Sequence, residues 1–349
     1  MTGPDEPVIS PDSWEKAVRT LGSSAEICLA CHIRPDGDAL GSMLAVAHAL
    51  RTRGGGPRPR VIASFGDAPF EIPKILRFLP GLDLLSPPES YPRRPDVMVT
   101  FDAASADRLG LLEPHAASAR ELIVIDHHPS YTGFGAVSLV DPAAAATAVL
   151  ADELISRLAA PLSAEIATCL YVGLVTDTGS FRFAATSPGV HQLAARLLAT
   201  GIDPGVIAYE LWDRAPFGYL GMLSAALRRA VLEPGAAGGN GLVWTTVTRA
   251  DRAAAGLPLD AAESVIDVLR RTEEADVAVV LKESDDGRWQ VSARSKGGVH
   301  VGRACGALGG GGHVWAAGFT GDGSAAAAIG AIREQLGSAV AAATLTAGR

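Results

Sequence analysis

The triplet Asp126-His127-His128 directly follows a run of four aliphatic residues at positions 122–125. Adjacent histidines beside an aspartate have no evident role in a hydrophobic core, so the triplet predicts a polar site at the end of a buried strand. Three further acidic segments, which contain Asp36-Gly-Asp38, Asp102 and Asp177, also follow apolar runs. A fold for this chain must therefore bring the polar ends of several buried segments together.

Strand and helix signals alternate along the first half of the chain. Apolar runs predict strands at residues 27–31, 61–65, 97–101 and 122–125. Helical spacing of apolar residues predicts helices at residues 39–53, 143–158 and 164–175. Continuous apolar strands indicate a parallel sheet covered on both faces, and open α/β sheets bind ligands beyond the carboxyl ends of such strands.

The second half of the chain predicts helices followed by a smaller sheet. Helices are expected at residues 190–212, 219–232 and 324–343, and strands at residues 242–247, 277–281 and 289–293. We therefore predict an α/β protein with three parts. They are an N-terminal parallel-sheet catalytic domain at residues 10–190, a helical connector at residues 191–232 and a smaller C-terminal α/β domain at residues 235–345.

Composition limits the partners and the compartment. With 30 Lys and Arg against 38 Asp and Glu, the formal net charge is -8, so no basic field exists to hold long duplex nucleic acid. Any nucleotide substrate should be short and bound through local contacts. We expect a cytoplasmic protein with no membrane partner, because neither a leader nor a bilayer-length apolar segment is evident. The sequence leaves the oligomeric state open, with a homodimer as one alternative.

The four cysteines do not suggest a disulfide framework. Cys28 and Cys31 form a C-x-x-C, but they lie within a predicted strand, where residues three apart face opposite sides. No second cysteine pair is present to complete a zinc site. We therefore expect both to be buried core residues.

The ligand types predict two divalent metal ions. Manganese is the expected ion, because carboxylates suit Mg²⁺ and Mn²⁺ and an added imidazole favours Mn²⁺. One predicted ligand set is His32, Asp36 and Asp102, and the other is Asp38, Asp102, His127 and Asp177. Asp102 would bridge two ions about 3.5–4 Å apart, the separation that suits phosphoryl transfer. Gly37 is expected to let the loop turn sharply between Asp36 and Asp38.

Each acidic segment also has a purely structural interpretation. Asp36-Gly-Asp38 alone could be an ordinary turn, and Asp102 and Asp177 could each cap the N-terminus of a helix. Four acidic ends predicted for one sheet favour a shared site over separate structural roles.

The second domain contains a glycine run, Gly309-Gly310-Gly311-Gly312, followed by His313. Successive glycines let backbone N–H groups converge on an anion and let a nucleotide approach closely, although such a run is often only a flexible turn. Arg294, Ser295 and Lys296 end a predicted strand and supply donors suited to a terminal phosphate. We predict that these residues, with Gly310, Gly311, Gly312 and His313, bind substrate.

Taken together, these motifs resemble the DHH/DHHA1 phosphoesterase family, in particular its bifunctional oligoribonuclease and pAp phosphatase branch. The resemblance covers nearly the whole chain and rests on the segments already described and on the segment at residues 177–182. It implies two manganese ions and substrates such as short RNA, pAp and, in some branches, cyclic dinucleotides. It also places His128 beside the scissile phosphate. Asp126 would orient a histidine or cap its strand, and Arg182 would contact phosphate or remain a solvated surface residue.

The resulting prediction is a metal-dependent hydrolase of phosphoric esters. It would cleave short oligoribonucleotides of the pApA type to nucleoside 5'-monophosphates, and pAp to AMP and phosphate. A cyclic-di-AMP phosphodiesterase is the nearest alternative, and an inorganic pyrophosphatase or exopolyphosphatase is another. Outside the enzymes, a nucleotide-binding sensor with a decayed centre is disfavoured, because all six ligand positions are filled.

Overall fold

The structure is a computed structural model that describes residues 8–54 and 58–347, with side chains described up to residue 340. The chain divides into two compact units, Met1–Arg214 and Ala215–Arg349. Among the described residues, no helix has both the length and the apolar character needed to cross a bilayer.

The first unit alternates strands and helices around one sheet. Its elements are α1 (Pro11–Ser23), β1 (Glu26–Cys31), α2 (Gly37–Thr52), β2 (Arg60–Phe65), β3 (Val97–Phe101), α3 (Glu113–Ser118), β4 (Glu121–Asp126), β5 (Val137–Val140), α4 (Thr147–Arg157), α5 (Ala164–Asp177), α6 (Pro188–Leu198) and α7 (Pro204–Leu211). The five strands are all parallel, in the order β2-β1-β3-β4-β5. The predicted parallel sheet is therefore confirmed, with β5 as an additional edge strand.

Side chains on the two faces of this sheet enter separate cores. On one face, odd-numbered residues such as Leu29 and Val99 pack against α1, α2, α4 and α5. On the other face, even-numbered residues such as Cys28 and Met98 pack against α3 and its neighbours. Cys31 belongs to the first core and Cys28 to the second, and both are free thiols. The expectation of buried core cysteines on opposite faces is confirmed.

Three glycines allow α2 and α5 to approach closely. A Cβ on Gly41 would overlap the carbonyl oxygen of Cys169, and one on Gly173 would lie 2.7 Å from Oδ1 of Asp38. Gly37 has the same role, because its Cβ would lie 2.6 Å from Oγ1 of Thr176. The predicted sharp turn at Gly37 is wrong: this glycine is the first residue of α2 and is needed for close packing.

The predicted connector is divided between the two units. Its first part is two helices, α6 and α7, which are separated at Gly201 (φ 92°), and the buried faces of both pack into the core of the first unit. The expected continuous helix at residues 190–212 is therefore wrong. The expected helix at residues 219–232 is too long, because it ends at Arg228 and residues 231–233 form a strand.

The second unit contains a six-stranded mixed sheet between helices. Its elements are α8 (Gly218–Arg228), β6 (Val231–Glu233), β7 (Leu242–Val247), α9 (Arg249–Ala255), α10 (Val265–Leu269), β8 (Val277–Glu283), β9 (Trp289–Ser295), α11 (Val301–Gly306), β10 (Gly311–Gly312), β11 (Ala316–Gly321) and α12 (Ala325–Ala347). The strand order is β10-β11-β9-β8-β7-β6, with β7 and β8 the parallel pair. Helices α11 and α12 cover one face, and α8 and α10 cover the other.

The close contact between α2 and α5 gives a stability prediction. Gly41→Ala should lower the free energy of unfolding by about 1–3 kcal/mol, because the new methyl group must push the two helices apart. Gly22→Ala in α1 is the matched control. Its Cβ would lie 3.8 Å from Arg53 Nη1, so it should be neutral or stabilising by about 0.5–1 kcal/mol. Thermal unfolding of the two variants measures this, and an unchanged melting temperature for Gly41→Ala would contradict the close-packing account.

Candidate metal centre

The predicted metal ligands of the first unit lie together beyond the carboxyl ends of the central strands. His32 follows β1, Asp102 follows β3, and His127 follows β4. In the order β2-β1-β3-β4-β5, the chain changes winding direction between β1 and β3. Such a switch point opens a crevice at the strand ends, where open α/β sheets place their ligands.

The first cluster contains His32, Asp36 and Asp102, whose ligand atoms all lie within 4.8 Å of one another. Nε2 of His32 is 3.4 Å from Oδ2 of Asp102 and 3.8 Å from Oδ2 of Asp36. Nδ1 of His32 donates a hydrogen bond to the carbonyl oxygen of Ile33 at 2.8 Å, which directs Nε2 toward the carboxylates. Asp36 also caps the N-terminus of α2 through its Oδ1 atom, leaving Oδ2 on the side of His32.

The second cluster contains Asp38, His127 and Asp177. Nε2 of His127 lies 3.1 Å from Oδ2 of Asp177 and 3.9 Å from Oδ2 of Asp38. Nδ1 of His127 donates to the carbonyl oxygen of Ala144 at 3.0 Å. This bond fixes the ring so that Nε2 points to the carboxylates, as in metal sites where the second histidine nitrogen is anchored by the backbone.

Asp102 connects the two clusters. Its Oδ2 atom faces His32 and its Oδ1 atom lies 3.5 Å from Nε2 of His127. The backbone at Asp102 adopts a left-handed conformation (φ 58°), and its N–H donates to the carbonyl oxygen of Ile125 on the neighbouring strand. The N-cap alternative for Asp102 is not supported, because its carboxylate accepts from the Thr147 hydroxyl at 2.8 Å and faces the histidines.

The N-terminus of α4 anchors Asp38. The backbone N–H groups of Thr147 and Ala148 donate to its two oxygens at 2.6 and 2.9 Å, and the hydroxyl of Ser42 donates at 3.0 Å. A helix N-terminus stabilises negative charge, so this contact holds a buried carboxylate in place. The sequence prediction missed Thr147 and Ser42. Their only signal is a hydroxyl residue at a helix start and another one turn after Asp38.

Asp126 orients His128. Nδ1 of His128 donates to Oδ1 of Asp126 at 2.7 Å, and the same oxygen accepts from the backbone N–H of His127 at 2.9 Å. Both interpretations of Asp126 therefore apply, because the same oxygen orients the ring of His128 and accepts from the backbone N–H that follows the end of the strand. Nδ1 of His128 lies 3.6 Å from Oδ1 of Asp102, so this histidine borders the shared carboxylate.

The position of Asp177 differs from the prediction. It is the last residue of helix α5, so the N-cap alternative for it is wrong and only three of the four acidic segments follow strands. The close packing of α5 against α2 brings Asp177 beside His127, although it does not belong to the sheet.

Crowded carboxylates dominate the electrostatics. Burial opposes protonation of His32, but its contacts with Asp102 and Asp36 raise the pKa to about 10. For His127, burial is likewise outweighed by Asp177, Asp102 and Asp38, and the pKa rises to about 11. Burial and repulsion from Asp102 and Asp177 raise the pKa of Asp38 well above its usual value. Bound positive charge would therefore stabilise the carboxylates of the cluster.

The donor chemistry fits divalent metal ions. Each cluster offers carboxylate oxygens and one imidazole nitrogen whose other nitrogen is anchored, a set that suits Mn²⁺. His32, Asp36 and Asp102 would hold one ion, and Asp38, His127, Asp177 and the second oxygen of Asp102 would hold the other.

The predicted substrate residues of the second unit have different surroundings. Ser295 is buried, its hydroxyl donates to Asp276 at 2.6 Å, and its oxygen accepts from the N–H of Gly297. These contacts show that Ser295 holds a turn, and its predicted role in binding phosphate stays a prediction. Lys296 is exposed and donates to the carbonyl oxygen of Thr272, while Arg294 is half-buried on β9.

The glycine run forms the edge of the second sheet. Gly311 and Gly312 are β10, paired with Gly318 and Ala317 of β11, and the carbonyl of His313 closes the turn to Ala316. A Cβ on Gly310 would overlap the carbonyl oxygen of Gly318, whereas a Cβ on Gly311 would meet open space. Part of the run therefore serves backbone packing, and exposed Gly311 and Gly312 leave the edge accessible.

Arg182 follows a turn in which Gly179, Ser180 and Phe181 all have positive φ. Its guanidinium donates to the carbonyl oxygen of Gly179 at 2.6 Å, and the side chain is exposed. The two alternatives for Arg182, a phosphate contact and a surface residue, both remain predictions.

Comparison with known proteins agrees with this geometry. The sequence profile of the DHH family, N-terminal domain, matches residues 26–174, and that of the DHHA1 domain matches residues 246–343. The chain belongs to the DHH family of metal-dependent phosphoesterases, in its DHHA1-containing form.

Named relatives are similar over most of their length. The chain is 35% identical to the bifunctional oligoribonuclease and PAP phosphatase NrnA of Thermus thermophilus, over 89% of this chain and 90% of the relative. It is 25% identical to the probable protein of the same name from Streptococcus mutans, over 82% and 86% of the two chains. The crystal structure of an exopolyphosphatase-related protein from Bacteroides fragilis has a TM-score of 0.83 and 22% identity, covering 95% and 97%, which shows the shared fold.

The contact of Thr147 with Asp102 gives a binding prediction. Thr147→Ala should weaken Mn²⁺ binding about 10- to 100-fold, because the carboxylate loses the hydroxyl that orients it. Thr147→Ser is the matched control, since it keeps the hydroxyl and should bind like the wild type. Calorimetric titration with Mn²⁺ measures the effect. Equal affinity of Thr147→Ala and wild type would mean that this hydroxyl does not position a ligand.

The raised histidine pKa values predict proton release on metal binding. Since His32 and His127 have pKa values of about 10 and 11, both carry a proton at pH 7 in the metal-free protein, and a metal ion must displace it. Affinity should therefore rise with pH, by about tenfold per unit for each proton displaced. Titration in two buffers of different ionisation enthalpy counts the protons.

Two variants calibrate that proton count. His32→Gln should release about one proton fewer than the wild type. His115→Gln is the control, because this ring contacts the carbonyl oxygen of Pro92 away from the carboxylates. Binding of Mn²⁺ with no proton release would contradict ligation by the two histidines.

Proposed function

We propose that this protein is a metal-dependent phosphodiesterase and phosphatase. It hydrolyses short oligoribonucleotides to nucleoside 5'-monophosphates, and pAp to AMP and phosphate. The observation that carries the proposal is the pair of histidine-carboxylate clusters that share Asp102. The bifunctional oligoribonuclease and PAP phosphatase named among the relatives supports the choice of substrates.

The proposed cofactor is two Mn²⁺ ions per chain. Ions held by a shared carboxylate would polarise a phosphoryl group and activate water. Asp102 suits the shared position because its two oxygens face different histidines. The remaining ligands belong to one cluster each, so loss of His32 should affect one ion and loss of Asp102 should affect both.

His128 is the proposed proton donor to the leaving oxygen. Its Nδ1 atom donates to Asp126, and we assign Nε2 to the reaction. Burial lowers the pKa of His128, but Asp126 and then Asp102 outweigh burial and raise it. A raised pKa favours the protonated imidazole, which is the form that a general acid needs.

The second unit is proposed to anchor the substrate through the exposed edge at Gly311 and Gly312, with His313, Arg294 and Lys296. Glycine at this edge allows a nucleotide to approach the backbone, and the two cations attract phosphate. Ser295 stays a predicted phosphate contact, and its hydrogen bonds to Asp276 and Gly297 hold the adjoining turn.

The experiment that tests the function compares substrates side by side. Metal-depleted protein restored with Mn²⁺ is incubated with pApA, pAp, cyclic-di-AMP and pyrophosphate, and products are separated by chromatography. We expect AMP from pApA and from pAp. Cyclic-di-AMP as the preferred substrate would shift the assignment to a cyclic dinucleotide phosphodiesterase. Cleavage of pyrophosphate alone would overturn the proposal.

A variant pair links this activity to the shared carboxylate. Asp102→Asn should lower pApA hydrolysis at least ~100-fold, because a neutral amide cannot bridge two cations. Asp96→Asn is the control: this aspartate is exposed, just before the other end of β3, and should leave activity unchanged. Normal turnover by Asp102→Asn would refute the metal assignment.

A further inference from the structure

Two arginines lie on neighbouring loops beside the first metal cluster. Arg34 follows β1, and Arg108 lies in a short 3-10 helix after β3. The backbone N–H of Ile33 donates to the carbonyl oxygen of Arg108 at 2.9 Å, so the two loops are in direct contact. Gly110 makes this approach possible, because a Cβ there would overlap the side chain of Ile33.

The backbone at Arg34 is fixed in an unusual conformation. Its φ is 53°, in the left-handed region that costs a residue with a Cβ, and its N–H donates to Oδ2 of Asp67 at 2.6 Å. Asp67 thus hydrogen-bonds to the main chain of Arg34, and its charge also acts on the guanidinium groups of Arg34 and Arg108 without a hydrogen bond to either. A strained backbone that is held in this way positions the side chain that it carries.

Within residues 8–54 and 58–347, neither guanidinium makes a hydrogen bond or a close ion pair. Arg34 is exposed and Arg108 is half-buried. Other half-buried arginines among the described residues are engaged: Arg53 donates to the carbonyl oxygens of Leu21 and Gly22, and Arg333 pairs with Glu233. Two adjacent cations without a close carboxylate partner indicate a place where an anion binds.

The electrostatic surroundings of Arg108 agree with that interpretation. Burial and the nearby charge of Arg34 lower its pKa, and the charges of Asp102, Asp36 and Asp107 act in the other direction. Asp102 and Asp36 are proposed metal ligands. Once cations neutralise them, the two guanidinium groups lose part of their compensating charge, and an anionic group becomes a more favourable partner.

We propose that Arg34 and Arg108 form a phosphate-binding pair at the His32–Asp36 side of the centre and hold the phosphoryl group that is hydrolysed. This inference rests on the proposed function and adds two residues that bind the reacting group. A phosphate ester presents two or three oxygens to a pair of guanidinium groups, whereas the base and sugar contribute nothing there. The pair should therefore act alike on pApA, on pAp and on free phosphate.

The test uses Arg108→Gln and Arg34→Gln, with Arg60→Gln as the control. Arg60 pairs with Glu26 at the start of β2, at the opposite end of the sheet, so its loss changes net charge without touching the site. Each site variant should lower kcat/KM for pApA on the order of 10- to 100-fold, since each removes one charge-assisted contact to phosphate. The side chain of Arg34 is exposed, so Arg34→Gln should fold normally, and a loss of activity in this variant is not explained by misfolding.

Two binding readouts separate this inference from the proposed function. Calorimetry with inorganic phosphate and Mn²⁺-loaded protein should show binding to wild type and to Arg60→Gln, and binding that is on the order of tenfold weaker or worse for both site variants. Titration with Mn²⁺ should be unchanged in all four proteins. This pattern would support the pair even if wild type cleaved no nucleotide, which would overturn only the proposed function.

The inference fails under two results. If both site variants bind phosphate and turn over pApA as the wild type does, the guanidinium groups do not contact the reacting group. If they lose Mn²⁺ instead of phosphate, their role is in maintaining the metal ligands. Guanidinium ion added to Arg108→Gly gives an independent check, because partial recovery of turnover requires the cation itself.

Discussion

Repulsion among buried carboxylates is the constraint on which the first unit depends. Asp38 and Asp102 are almost fully buried beside Asp36 and Asp177, an arrangement that is unfavourable unless positive charge is supplied. Part of that charge comes from the N-terminus of α4 and part from the histidines. The remainder is what divalent cations would provide. The helices that pack the core also hold the ligands, so formation of the fold and formation of the site are coupled.

The fold of the first unit was largely predictable from the sequence because its strands are continuous apolar runs in a parallel sheet. β5 escaped prediction because Val137–Val140 is short and alternates in burial at the sheet edge. The sequence does contain signals for the break between α6 and α7. Gly201 adopts a left-handed conformation, and Asp203 before Pro204 is an N-cap. The break was missed because the helical spacing of apolar residues continues across the gap.

The candidate site was predictable only at positions where the residue type itself is typical of a metal ligand. Histidines and aspartates after apolar runs pointed to the centre, whereas Thr147 and Arg108 have no such signal. Thr147 contacts Asp38 from 109 positions away in sequence, and only the tertiary fold reveals that contact. The hydrogen bond from Ser295 to Asp276 was likewise not evident from the sequence, because the two residues are 19 positions apart and meet only through the pairing of β8 and β9.

The central claim is that Asp102 bridges two metal ions, and crystals grown with Mn²⁺ test it most directly. An anomalous difference map collected near the manganese edge locates the ions without any assumption about activity. We predict two peaks about 3.5–4 Å apart, one beside His32 and one beside His127, with the carboxylate of Asp102 between them. A single peak, or two peaks without Asp102 between them, would contradict it.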